Sequence, residues 1–198
     1  MLQRVQTEIG GDLRREMEFV QQFGAITSAV LITWTVWLLD PGARRKLGAA
    51  AIGCLASALC VFILKIIIGR PRPRLEDPWS IVTPWETYRW SRNDTPVTRY
   101  AWEFWERGTH DIWSMPSAHT ASAFALAGVL ALLYPRLRPL ALTLGCIVAT
   151  CRVVLGAHYI TDVIIGGAIG WTVARGVAGM LLARQADKVT LEMRGRGE

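Results

Sequence analysis

Residues 139–183 read PLALTLGCIVATCRVVLGAHYITDVIIGGAIGWTVARGVAGMLLA, one apolar stretch interrupted only by Arg152, His158, Asp162 and Arg175. A helix needs about 20 apolar residues to cross a bilayer core, so this stretch is long enough for two crossings. Gly156 and Ala157 lie near its middle and give the break between them, because glycine weakens a helix interior. Three further runs precede it. Residues 23–39 are an uncharged run of 17, residues 47–64 an uncharged run of 18, and residues 112–135 carry no histidine or charged side chain except His119. The reading is an all-α polytopic membrane helix bundle of about five transmembrane helices.

The composition agrees. Of 198 residues, 52% are hydrophobic and 19% charged, which fits a single integral membrane domain over 1–198 and is too apolar for an ordinary soluble one. A soluble helical protein with a large core is the plain alternative, and it leaves so many long uncharged runs unexplained. Residues 1–22 hold seven charged side chains, too many for the apolar part of a signal peptide. No small-residue cleavage pattern follows Leu39, so the first span reads as an uncleaved anchor. The amphipathic stretch 12–23 is expected to lie on the membrane surface as part of an interfacial segment 1–22. Cys54, Cys60, Cys146 and Cys151 all fall in spans, where a thiol is a small packing residue, and they suggest neither a disulfide framework nor a zinc site. A net charge of +6 would permit nucleic-acid binding in a soluble protein. Here no basic block stands alone and the charges flank the spans, so the expected surroundings are a bilayer and no nucleic acid. The sizeable extramembrane piece is the loop 70–114. Nothing in the sequence fixes an oligomeric state.

A charged side chain near the bilayer centre costs roughly 2.5–3.5 kcal/mol on insertion scales, so the ionisable residues beside these spans need a reason. If successive spans alternate in direction, one membrane face receives residues 65–73, residues 116–119, Arg152, and the pair His158 and Asp162. Taken singly, several have ordinary explanations. Lys65 can snorkel, Arg72 can flank a span, and Pro116-Ser117 can cap a helix. His158 and Asp162 say more: spaced i, i+4 on a helix they share a face, so the carboxylate can accept from one ring nitrogen and leave the other aimed at a substrate. That face continues as Gly166, Gly170, Ala174 and Ala178, a stripe that lets helices approach closely. Together the residues read as a phosphate site: three cations (Lys65, Arg72, Arg152), a hydroxyl with helix N-terminal amides at 117–119, and two histidines. There is no Gly-x-x-x-x-Gly-Lys loop, no His-Glu-x-x-His, and no carboxylate cluster for magnesium. Neither metal nor cofactor is expected, and a histidine nucleophile is the economical route to phosphoryl transfer.

These residues resemble the type-2 phosphatidic acid phosphatase superfamily, whose signature has three parts. Lys-x6-Arg-Pro stands here as Lys65 to Arg72-Pro73, Pro-Ser-Gly-His as Pro116-Ser117-Ala118-His119, and Ser-Arg-x5-His-x3-Asp as Cys151-Arg152 to His158 and Asp162. The resemblance implies that His158 is the nucleophile, forming a phosphohistidine, with Asp162 orienting and polarising it. It implies that His119 protonates the leaving oxygen and then helps activate water. Lys65, Arg72, Arg152 and Ser117, with the backbone amide near Ala118, would hold the phosphoryl oxygens. Three features depart from the family. Cys151 replaces a serine, Ala118 replaces a glycine, and five spans stand where membrane members usually have six.

The implied activity is metal-independent hydrolysis of a lipid phosphate monoester or diphosphate. Undecaprenyl or another polyprenyl diphosphate, phosphatidylglycerophosphate, phosphatidic acid and a lipid A phosphate all remain open as substrates. The alternatives are a lipid phosphotransferase using the same site and a non-catalytic phosphate-lipid binding or transport protein. Positive charge in short loops tends to stay cytoplasmic, and Arg44, Arg45, Lys46, Arg136, Arg138 and the tail with Arg184, Lys188, Arg194 and Arg196 all fall opposite the catalytic face. The expectation is a bacterial inner membrane protein with its site facing the periplasm or exterior. Finally, six of the nine tryptophans lie between residues 74 and 113. Residues 100–107 are expected to form a short amphipathic helix beside the pocket, with Trp102 and Trp105 as a substrate gate and Arg99 and Arg107 available to a headgroup.

Overall fold

A computed structural model describes residues 10–92 and 95–195. Six α-helices dominate it: α1 (Gly11–Val20), α2 (Ile26–Leu39), α3 (Arg44–Ile68), α4 (Ala118–Leu133), α5 (Arg138–Val154) and α6 (Ile160–Gly195). Residues 1–9 of the expected interfacial segment, and Arg196 of the basic tail, lie outside the described residues.

The apolar runs become helices because a chain in hydrocarbon must satisfy its backbone polar groups internally. Among the described residues three helices are long and apolar enough to cross a membrane, fewer than the five spans expected: α3, α5 and α6. The pair α1 and α2, separated by the 3-10 turn Gln21–Gly24, meets at a 58° bend. That bend separates the charged segment from the apolar one, as the sequence suggests. No residue of α2 is fully buried: Ile32 packs against the core, while Ile26, Trp34 and Leu39 are exposed in the protein alone, as lipid-facing residues are. Helix α4, at 16 residues, is shorter than the expected run, because Ile112 ends a 3-10 turn and 113–117 are irregular chain leading into the site. It is apolar all round and buried along most of its length, so it is the central helix of the bundle.

Helix α6 supplies the closest packing. Its stripe Gly166, Gly170, Ala174 and Ala178 is buried against α4 and α3. A Cβ on Gly170 would stand 2.1 Å from the carbonyl oxygen of Ala121, and one on Gly53 of α3 2.4 Å from that of Ala174. Backbone cannot yield as a flexible side chain can, so Gly170→Ala is expected to destabilise the bundle by about 1–3 kcal/mol through overpacking. Gly176 on the same helix has nothing within 4 Å, so Gly176→Ala should be neutral or stabilising. Thermal unfolding of the two variants in one detergent checks the contrast, and equal midpoints would remove the close-packing argument.

The extramembrane segment departs from an all-α reading. It holds an antiparallel two-stranded ribbon, β1 (Thr87–Arg92) paired with β2 (Thr95–Tyr100), with Trp90 opposite Val97 and Thr87 opposite Tyr100. Trp90, Ala101 and Ile112 form a small core of their own, against which Tyr88, Val97 and Trp113 pack. At the other end of the bundle Asp40 accepts from the Tyr134 hydroxyl at 2.7 Å, joining the α2–α3 and α4–α5 connections. Arg175 lies over the Trp171 ring at 5.3 Å, and Arg138 approaches the same ring at 5.9 Å.

Candidate active site

The three motifs meet where α3 and α5 end and α4 and α6 begin. Lys65, in the last turn of α3, is buried, and its Nζ donates to the Trp113 carbonyl at 2.6 Å. Gly69 ends that helix at φ +22°, and a Cβ there would lie 2.4 Å from the Val82 carbonyl oxygen. Only glycine lets the chain turn so tightly and carry Arg70 and Arg72 across the mouth of the bundle. Arg72 donates from Nε to the His110 carbonyl at 2.7 Å, and its amide to the Asp111 carbonyl at 2.8 Å. Arg152, in the last turn of α5, donates from Nη1 to Oε1 of Gln21 at 2.7 Å.

The charges of Lys65, Arg72 and Arg152 are near enough to act on one another and on the rings of both His119 and His158. Each of the three cations is held by a neutral oxygen, and among the described residues none forms an ion pair with a carboxylate. A carbonyl orients a cation without cancelling its charge, so the cluster keeps its positive potential for an anion.

Ser117 is the buried residue preceding α4; its amide donates to the Asp162 carbonyl at 3.0 Å and its hydroxyl accepts from that of Thr120 at 3.0 Å. Ala118 opens the helix with ordinary helical backbone, so the freedom of a glycine is not needed there. The first-turn amides after Ser117 have no intrahelical acceptor. The half-buried ring of His119 has no hydrogen-bond partner among the described residues. Cys151 is buried beside Arg152.

His158 lies before α6, not within it. Gly156 at φ +66° reverses the chain, and the amides of Ala157 and His158 both donate to the Arg152 carbonyl, at 3.1 and 3.2 Å. The ring's Nδ1 is 2.7 Å from the Ser114 carbonyl. A carbonyl only accepts, so Nδ1 carries the proton, and the neutral imidazole presents its lone pair at Nε2.

This corrects the direct bond expected between His158 and Asp162. Oδ2 of Asp162 is 3.7 Å from Nδ1, an electrostatic contact beyond hydrogen-bond reach. The carboxylate is fully buried and otherwise occupied: Oδ2 accepts from the Ser114 hydroxyl at 2.5 Å and from the Tyr159 amide at 2.9 Å, while Oδ1 accepts from Nη1 of Arg70 at 2.8 Å. Asp162 therefore reaches the imidazole through Ser114, whose hydroxyl it fixes and whose carbonyl holds the ring. The physical reason is chain path: with His158 outside the helix, the i, i+4 geometry assumed for the pair does not apply.

Arg70, Ser114 and Gln21 are site residues that motif reading misses. Arg70 also donates to the Thr161 hydroxyl and the Pro78 carbonyl, each at 2.7 Å, and lies over the Tyr159 ring. A second arginine inside the first motif was its only signal. Through Pro78 it ties the loop to Asp162. In that loop Asp77 accepts from the Ser80 hydroxyl, which most strongly holds its carboxyl below the usual range, and from the Tyr88 hydroxyl. Burial, and then the Asp77 bond, push Tyr88 up to about 12. Burial, followed by Arg72 and Arg74, holds the His110 ring below its usual value. Arg74 and His110 both contact Asp111, whose segment supplies the carbonyls that hold Arg72.

The expected helix over residues 100–107 is absent. Tyr100 ends β2, and turns follow it. The Trp102 ring stacks on Tyr100 at 5.3 Å and its Nε1 donates to the Pro84 carbonyl, while Trp105 lies 5.7 Å from Trp102. Phe104 meets Phe62 of α3 edge-on at 5.7 Å, which docks these turns on the bundle. Arg99 is committed to Glu106 and the Thr98 carbonyl, whereas Arg107 is exposed without a hydrogen bond or ion pair among the described residues. Pairing with β1 and burial of Ala101 outweigh the helical pattern of this stretch. Among the described residues no group of three or more His, Cys, Asp or Glu side chains is arranged to hold a metal ion.

A family model described as the PAP2 superfamily matches residues 46–186. No curated protein matches the chain. Two solved structures are similar. One is LpxE of Aquifex aeolicus, at 16% identity and a TM-score of 0.62, covering 87% of this chain and 89% of that one. The other is the first transmembrane PAP2 type phosphatidylglycerolphosphate phosphatase from Bacillus subtilis, at 17% identity and a TM-score of 0.62, covering 92% and 83%.

Proposed function

We propose, from the premise that this chain belongs to the PAP2 superfamily, that it is an integral membrane lipid phosphatase acting through a phosphohistidine. The observation that carries this is the cluster of three cations, each held by a neutral oxygen, facing two histidines. Lys65, Arg72 and Arg152, with Ser117 and the amide of Ala118, bind the phosphoryl oxygens and stabilise the charge that develops in the transition state. Nε2 of His158 attacks phosphorus, and the bond to the lipid oxygen breaks as His119 protonates it. Water, deprotonated by His119, then attacks the phosphohistidine; the P–N bond breaks and inorganic phosphate leaves. No step in this scheme calls on a metal. One of the two similar structures is named as a phosphatidylglycerolphosphate phosphatase, which supports the substrate class and leaves open which lipid is used.

The test is phosphate release by purified protein in detergent, with a chelator present, over phosphatidic acid, phosphatidylglycerophosphate, a polyprenyl diphosphate and a lipid A phosphate. Release from none of these would reject the reading, and release that rises only when an alcohol acceptor is added would favour a phosphotransferase.

The aromatic turns bear on the lipid. Trp105 is 61% exposed and sits with Trp102 and Phe104 at the end of α3 nearest Lys65, where amphipathic rings favour the headgroup layer. We infer that they form a shelf receiving the lipid. Replacing Trp102 and Trp105 together by alanine is expected to raise KM for long-chain lipids by about tenfold, given roughly 0.5–1.5 kcal/mol per aromatic contact. Hydrolysis of a short soluble phosphate ester should hardly change, and equal losses on both substrates would reduce the shelf to a structural role.

The orientation follows from charge. Helix α3 is about 37 Å long, which separates Arg44 and Arg45 from the site at its other end. Arg136 and Arg138 share that far end, so we place it in the cytoplasm and the site outside. A C-terminal reporter active only outside the cytoplasm would reverse this assignment.

A further inference from the structure

Arg152 differs from the other two cations in what holds it. Lys65 and Arg72 are fixed by main-chain carbonyls of residues 110–113, whereas the acceptor for Arg152 is a side chain, Oε1 of Gln21 at 2.7 Å. Gln21 stands outside the matched family segment 46–186, in the 3-10 turn between α1 and α2. It is 8% exposed, a polar residue buried in that turn together with Gly24, whereas α1 before it has no buried residue. Because a guanidinium only donates, the amide must turn its oxygen to Arg152, which leaves the NH2 edge as a donor.

A second contact shows how the turn comes to be there. A Cβ on Gly24 would lie 2.3 Å from the carbonyl oxygen of His119 and 3.1 Å from Val148, so the turn is seated between the first turn of α4 and the middle of α5. The N-terminal segment is thereby packed against the element that carries His119.

We infer that Gln21 is a positioning residue for phosphate binding: its neutral amide aims the Arg152 guanidinium at the phosphoryl oxygens without neutralising it. This rests on the phosphate site proposed above. A carboxylate in the same place would hold Arg152 as well or better, but would cancel the charge the substrate needs. An apolar residue would leave Nη1 without its acceptor beside Nε, which is already buried without a partner among the described residues.

The test uses full-length protein in detergent and inorganic phosphate as the probe, read as the rise in unfolding temperature with phosphate concentration, which reports affinity without turnover. Gln21→Ala is expected to weaken phosphate binding about tenfold, the size of one hydrogen bond to a charged group. Gln21→Glu is expected to unfold at the same or a higher temperature than wild type without phosphate, and yet to bind phosphate at least about tenfold more weakly. A merely structural role cannot move stability and affinity in opposite directions. Phosphate affinity within about twofold of wild type in folded Gln21→Glu overturns the inference. If the wild type itself shows no phosphate-dependent shift, the phosphate site is wrong and the role of Gln21 falls with it, a result distinct from the previous one.

Discussion

His158→Ala is expected to lose lipid phosphate hydrolysis by about 10³-fold or more, and the phosphoenzyme with it, since removing a nucleophile removes the pathway and not one contribution to it. The orientation of the ring makes the expectation specific. Nδ1 is engaged by the Ser114 carbonyl, so the intermediate should carry phosphate on Nε2, and rapid acid-free quench of wild type should trap a phosphoramidate stable to base and labile to acid. Loss of the ring also strips the buried Ser114 carbonyl of its donor, worth about 1–3 kcal/mol, so the unfolding temperature should fall modestly. His158→Asn, which retains an amide donor, separates the two effects: it should recover stability and remain inactive. Substantial turnover in either folded variant, or label persisting in His158→Ala, would assign the nucleophile elsewhere.

Arg70→Ala should produce the largest loss of stability among the site variants. Asp162 is fully buried, and Arg70 is the one cation paired with it among the described residues. Removing one member of a buried pair leaves an uncompensated charge and costs roughly 3–5 kcal/mol. Activity should fall too, because Asp162 fixes the Ser114 hydroxyl while the Ser114 carbonyl holds His158. The background Asp162→Asn tests the cause: without the carboxylate charge, Arg70→Ala should cost much less, a coupling measurable by thermal unfolding of the four proteins. Equal costs in both backgrounds would mean that Arg70 acts through Pro78 or Thr161 and not through the ion pair.

What the sequence determined by itself was of two kinds. The apolar runs gave helices and their approximate ends, because solvation in lipid is a local property of each run: the break at Gly156 and the close-packed stripe from Gly166 to Ala178 could be read from residue type alone. The three motifs named the residues that share one end of the bundle, because alternating spans leave little freedom in which ends coincide. Hydrogen-bond partners were decided only in the tertiary structure. The Trp113 and His110 carbonyls that hold Lys65 and Arg72 carry no side-chain signature, and Gln21 is more than a hundred residues from the arginine it orients. His158 and Asp162 illustrate the limit most directly. Their spacing suggested a bond, but a spacing is a geometry only if the residues between are helical. The turn at Gly156 placed His158 outside the helix and directed its Nδ1–H to the Ser114 carbonyl, leaving the buried charge of Asp162 to be met by Arg70. The same competition decided residues 100–107, where the expected helix yielded to the end of the ribbon at Tyr100 and the turns after it, since pairing of Tyr100 with β1 and the burial of Ala101 reward partners that local sequence cannot see.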